Sequence, residues 1–296
     1  MLGWGMVTDA PAFLSAAAWR ERERAHRARA ERWTLPARER RGRRVPHPID
    51  DFLFVYYPFS FGKLEAWHPG MGTALEVGEE VPEAFTREPY RVTGGVAFLD
   101  AGLLVEKDRQ RLRWTLELLE ATRDRAPNFA CHGLHEWAMV YRGKEVRHEK
   151  TTPLRLPQEE IDAVVESRPV VCSHFDAFRF FAPEAQPLNR LQPTLMDRPG
   201  FEQPACIHAN MDLYKWAAKS MPWIGAELLL DCFELAVKLR DLDMRASPYD
   251  LGAWGRVPVR IETPEGRREY EGEQRALAAE AAVLRGRLIA ALGWVR

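Results

Sequence analysis

The sequence reads as an α+β protein, and three observations predict that class. Apolar residues recur at helical spacing in several long segments, short runs rich in aromatic and β-branched residues lie between Pro and Gly, and no internal repeat or low-complexity linker interrupts the mixture. At 296 residues, with 46% hydrophobic residues and ten tryptophans, the chain can bury a sizeable core. The expected architecture is a single domain of mixed helices and short strands, carrying a basic helical arm at its N-terminus.

The arm comes first. "AAAWRERERAHRARAERW" places Ala, Arg and Glu at helical spacings, and "PARERRGRRVPHP" follows as a basic run bounded by prolines. Residues 1–45 hold eleven arginines and five acids, whereas the whole chain has a formal net charge of −1. Guanidinium groups pair bidentately with phosphate, so residues 1–45 are expected to contact DNA and residues 46–296 to form the α+β catalytic domain. A solvated surface helix of alternating charge explains the same pattern equally well.

Beyond the arm, "DDFLFVYYPFSF" reads as a strand or a buried aromatic segment, and "LEAWHPGMGTALE" as a turn. A helix is expected over 105–125, where Leu112, Leu116 and Leu119 form an apolar stripe. "RGKE" looks like a hairpin turn leading into the extended "VRHEKTTPLRL", and "IDAVVESRPVVCS" like a helix-to-strand passage. A long amphipathic helix should span 225–245. After it, "RASPYDLG" is a helix-ending turn, with Arg245 and Tyr249 as further site candidates. The "VPVRIETPEGRREYEGEQ" stretch then reads as a strand, a Pro-Glu-Gly turn and a closing helix.

Three segments carry the chemistry. "CHGLHEWAMVYR", "CSHFDAFRFF" and "CIHANMDLYKW" each follow a cysteine with a histidine and a carboxylate among aromatics. Four cysteines are too few for a disulfide framework, so reduced thiols and a cytoplasmic location are expected. Membrane association is not, because no apolar run reaches the length of a span, and the N-terminus has no basic start before its apolar residues. Ser173, three residues before Asp176, is expected to cap a helix there, and Asn210 to cap another that places Asp212 beside His208. If "HGLHEWAM" is helical, His132 and Glu136 share a face, with His135 one position round. Burying so many ionisable groups is costly unless they pair or bind something, which favours a common site over three separate pieces of core.

Two chemistries fit that site. In the first, Glu136, Asp176 or Asp212, in that order of preference, activates water at a sugar–base bond, and His174 or His208 orients water or protonates the leaving base. Trp137, Phe175, Tyr214 and Trp216 would then stack on the base, with Asn210, Arg179 and Lys215 as further substrate contacts. Lys215, one of seven lysines against thirty-five arginines, has two readings: a desolvated amine that forms a Schiff base, or a stem laid over aromatic surface with the ammonium in water. The second chemistry is a divalent metal ion held by His132, His135, His174 and His208, although no H-E-x-x-H or C-x-x-C pattern occurs.

The segments "GLHEWAMVYR", "CSHFDAFRFF", "PLNRLQPT", "EQPACIHANMDLYKWA" and "DMRASPYDLG", with "HPIDDFLFVYY" and "WHPGMG", resemble an actinobacterial family commonly labelled 3-methyladenine DNA glycosylase. The resemblance runs from about position 19 to the last residue. It implies excision of alkylated purines from DNA by N-glycosidic hydrolysis without a cofactor. No Gly-rich "LPGVG"-type hairpin before a catalytic Asp occurs, so the resemblance assigns no catalytic residue. DNA N-glycosylase is therefore the leading expectation. A metal-dependent enzyme acting on a small molecule and a non-catalytic nucleic-acid-binding protein are the alternatives.

Overall fold

The structure, a computed structural model, describes residues 12–143 and 152–296. Half of the expected "RGKE" turn and most of the segment after it lie outside the described residues. Helix α1 (Ala16–Arg43) starts at Ser15, whose hydroxyl accepts a hydrogen bond from the Ala18 amide, and continues through Pro36. Its buried residues, Trp19, His26, Ala30, Thr34 and Ala37, fall on one face. Pro36 removes one backbone hydrogen bond without ending the helix, because Arg38 on Glu65 and Arg40 on Asp51 anchor the turns beyond it.

Short helices α2 (Phe52–Tyr56) and α3 (Phe61–Glu65) follow. Of the two readings of "DDFLFVYYPFSF", the strand is corrected to a helix, while Phe54, Tyr57 and Phe61 are buried as the aromatic-segment reading has it. A run that is apolar throughout fits either period, and here Ile49, Leu53 and Tyr57 bury one face four residues apart.

Strands β1 (Ala12–Leu14), β2 (Thr73–Glu76), β3 (Tyr90–Thr93) and β4 (Val96–Leu99) form one mixed sheet in the order β1-β2-β4-β3. β1 pairs in parallel with β2 (Ala12 opposite Thr73), and the other pairs are antiparallel. Gly94 and Gly95, both with positive φ, make the tight turn between β3 and β4. The Trp19 indole donates to the Glu76 carbonyl at 2.7 Å and so ties the sheet to the first turns of α1.

The remaining helices build the body: α4 (Glu106–Asp124), α5 (Leu134–Met139), α6 (Gln158–Glu166), α7 (Phe175–Phe178), α8 (Arg198–Phe201), α9 (Ile207–Lys219), α10 (Ala226–Arg245) and α11 (Pro264–Leu292). The expected helices over 105–125 and 225–245 are therefore present. α9 packs chiefly on α10, and ten of its thirteen residues are buried, so its polar residues must find partners inside the protein.

Two cap expectations are corrected. α7 is preceded by His174 rather than Ser173, and α9 by Cys206, which leaves Asn210 inside the helix. Asn210 there accepts from Arg285 and donates to the Pro204 carbonyl. The Pro-Glu-Gly triplet is the first turn of α11, capped by Thr263, and no strand forms over 257–261. Proline suits that first turn because its missing N–H would have no helical partner there. Among the described residues no helix is long and apolar enough to cross a membrane.

Candidate functional site

A cavity of about 470 Å³ opens where α2, α5, α7, α9 and α10 meet. Phe52, Tyr56, Phe180 and Tyr249, with Met139, Met211 and Met244, give it apolar and aromatic walls. Val55, which also lines it, is 73% exposed and marks its mouth. Glu136, Asp176, His208 and Arg240 are polar groups at the cavity, as are His47, Asp51 and Thr152. The first three come one each from the three Cys-His segments, so those segments do converge on a single hollow.

Behind this polar wall lie two connected networks. In the first, Arg240 Nη1 stands 3.1 Å from Glu136 Oε1 and 2.6 Å from Asp243 Oδ2, with its guanidinium over the Phe52 ring. His135 Nε2 lies 2.6 Å from Asp243 Oδ1. In the second, Asp212 accepts from Tyr57 at 2.7 Å and from Lys215 at 2.6 Å, and faces His174 Nε2 at 3.2 Å and Arg198 at 3.4 Å. Arg198 also binds Asp176 and Glu202, and Lys215 binds Asp176 at 3.0 Å. His208 joins the two, with its ring 4.4 Å from that of His135 and 5.6 Å from that of His174.

These environments push the carboxyls apart. Burial, then the negative charge of Asp243, raises Glu136 to about 7. Burial would raise Asp176 too, but Lys215 and Arg198 outweigh it and hold that group at about 2. Asp212 is buried as well, yet Lys215 and His174 keep it well below the carboxylate range. Burial and the neighbouring charge of His135 lower His208 to about 3, so its imidazole is neutral. His135 behaves oppositely: despite burial, Asp243 raises it well above the ordinary histidine value.

Several residues proposed for substrate contact lie elsewhere. Trp137 is fully buried and its indole donates to the Ala246 carbonyl, while Tyr214 packs against Tyr57, Phe59 and Phe233. Trp216 lies against Trp114, and Phe175 sits beside Arg198 without lining the cavity. Asn210 is tied off in the core by Arg285. Arg179 is half-exposed, its Nε 3.3 Å from Asp176. Lys215 has its ammonium over the Trp216 ring, and although burial would lower its pKa, Asp212 raises it, contrary to the Schiff-base expectation. Its ammonium is also not in water, since the side chain is only 13% exposed. Arg245 points to Glu273. Asp212 and His174 form the layer behind the cavity.

Of the four imidazoles grouped as metal ligands, His135, His174 and His208 assemble. His132 lies apart, before α5, with Glu271 at 3.7 Å. Among the described residues two donor triplets could hold an ion: His135 with His208 and Asp243, and His174 with Glu202 and Asp212. In each, cationic side chains already occupy the carboxylates, Arg240 at 2.6 Å in the first and Lys215 and Arg198 in the second.

Sequence reasoning missed Arg240, Asp243, Arg198 and Glu202. The signal was present for the first two, since Arg240 and Asp243 stand three apart within an otherwise apolar helix face. Compared with protein-family models, curated proteins and solved structures, the chain finds no match in any of the three.

Proposed function

We propose that this cavity hydrolyses the N-glycosidic bond of a purine nucleoside unit, as a DNA N-glycosylase does with an alkylated base. One observation carries the reading. Two carboxyl groups line the same cavity with their pKa values pushed apart, Glu136 up to about 7 and Asp176 down to about 2, which divides acid from charge-stabilising work. Glu136, protonated over much of the neutral range, donates its proton to the departing base. Asp176, ionised, opposes the positive charge that develops on the sugar and helps hold the attacking water. Neutral His208 accepts a hydrogen bond from that water or from the base. Tyr56 and Phe180 line the cavity where a planar ring would lie, while Phe52 is engaged by Arg240 and stacked on Tyr56. Asp212, sealed behind the cavity by four partners, keeps Lys215 and Arg198 in place for Asp176.

The test is base release from alkylated duplex DNA, alkylated single strands and alkylated free nucleosides, read by mass spectrometry. Release is expected in at least one arm, with loss in Glu136→Gln and Asp176→Asn proteins that remain folded. Release in none of the three would remove the reading. The two donor triplets support a second one, a metal-dependent enzyme acting on a small molecule. Near-stoichiometric iron, zinc or manganese in protein purified without a His-tag would favour it. Salt-dependent DNA affinity without base release would instead mark a non-catalytic nucleic-acid-binding protein.

A further inference from the structure

On the far side of His135 from Asp243 lies Cys131. Its Sγ is 3.6 Å from His135 Nδ1, and His135 Nε2 is 2.6 Å from Asp243 Oδ1. The side chains of His135 and Asp243 are 2% and 0% exposed, so the pair is fixed in place. An ionised carboxylate at Nε2 requires the proton there. Asp243 raises His135 well above the ordinary histidine value, so Nδ1 carries a proton as well and turns it towards the Cys131 sulfur. The local backbone serves the same contact: His132 has φ 46° and Gly133 φ 72°, two consecutive left-handed residues that turn Cys131 back over α5. For a histidine this conformation is uncommon, and such outliers concentrate where a side chain must be aimed.

Cys131 also borders a hollow of about 10 Å³, lined further by His135, Cys172, Cys206, His208 and Tyr270. A hollow this small takes at most one of the smallest molecules and excludes larger electrophiles.

We infer that Cys131 is a nucleophilic thiol, paired with His135 and oriented by Asp243, that reacts with hydrogen peroxide admitted to this hollow. With the thiol proton held on His135 Nδ1, the Cys131 thiolate attacks one peroxide oxygen. The O–O bond breaks, and the departing hydroxide takes the proton back from His135 and leaves as water. Sulfur is oxidised by two electrons to the sulfenic acid and the peroxide is reduced, so one thiol and one hydrogen peroxide give one sulfenic acid and one water. The other cysteines lack this arrangement. Burial raises the thiols of Cys172, Cys206 and Cys232, in Cys206 to about 12, whereas the hydrogen bond to His135 outweighs burial and lowers Cys131.

This site shares His208 and the Asp243–Arg240–Glu136 contacts with the cavity, and its test reads sulfur chemistry alone. The folded protein is exposed to hydrogen peroxide for graded times, quenched with catalase, then denatured in dimedone, and each cysteine peptide is quantified. Cys131 is expected to become labelled about tenfold faster than Cys172, Cys206 or Cys232. His135→Gln is expected to slow Cys131 by about tenfold while the other three rates stay unchanged. If His135→Gln fails to fold, the competition among the four wild-type cysteines decides alone. Equal labelling of all four, or earlier labelling of another cysteine, would overturn the inference.

Discussion

Glu136 and Asp243 share a single guanidinium nitrogen: Arg240 Nη1 lies 3.1 Å from the first and 2.6 Å from the second. Because all three are largely buried, removing the cation leaves two acids facing each other in low dielectric. Arg240→Met is therefore expected to destabilise the protein by about 3–5 kcal/mol, the usual cost of breaking a buried pair from one side. Urea unfolding checks it, as a lower midpoint with an unchanged slope. A loss below about 1 kcal/mol would show that the pair contributes no more than a surface ion pair.

Stability should depend on pH with a definite sign. Glu136 titrates at about 7 in the folded protein and near 4.5 when exposed, so it imposes no penalty below 4.5 and an increasing one from there to about 7. A gap of this size corresponds to on the order of 3 kcal/mol. Glu136→Gln should remove the penalty, so the variant gains on the wild type as pH rises through that window. Asp176 acts the other way. Its folded value of about 2 lies under the ordinary 3.8, so the stability it contributes is present above 3.8 and is lost as pH falls towards 2. Asp176→Asn should flatten that acid limb, and unfolding curves across the range measure both effects.

Lys215 bridges Asp176 and Asp212 as an ammonium ion and is not poised as an amine nucleophile. Borohydride added to the protein with abasic DNA is expected to trap no covalent adduct. A trapped adduct mapping to Lys215 would contradict the pairing. Lys215→Met should also raise the pKa of Asp176 and of Asp212, since the ammonium is the leading charge lowering each.

Four arginines of α1 are engaged in ion pairs with the body of the protein. Arg22 binds Glu227, Arg29 binds Asp231 and Glu234, Arg38 binds Glu65 and Arg40 binds Asp51. Arg29→Ala is expected to lower stability by no more than about 1 kcal/mol, because the group is partly exposed and screened. It should leave the salt slope of any DNA binding unchanged. A shallower slope in the variant would show that Arg29 contacts phosphate after all.

Much of the helical frame was legible in the sequence. The helices α4 and α10 carry long apolar stripes interrupted by charge, a pattern no strand shares. The segment 52–56 was not legible, since unbroken apolar residues satisfy either period and tertiary packing decides. The convergence of Glu136, Asp176 and His208 followed from the cost of burying charge. The aromatic assignments did not, because a tryptophan or tyrosine next to a carboxylate in sequence points to the opposite side of a helix as often as to the same one. Trp137 follows Glu136 directly and lies in the core, while the cavity walls come from Phe52, Tyr56 and Phe180. Arg240 and Asp243 escaped notice because their partners lie on α5, more than a hundred residues earlier.

The division of labour between Glu136 and Asp176 is most directly tested by following their side-chain carboxyl carbons by NMR as pH is varied, assigned with Glu136→Gln and Asp176→Asn. Glu136 is expected to titrate near pH 7 while Asp176 remains ionised until about pH 2. Titration of both together near the ordinary carboxylate values would contradict it.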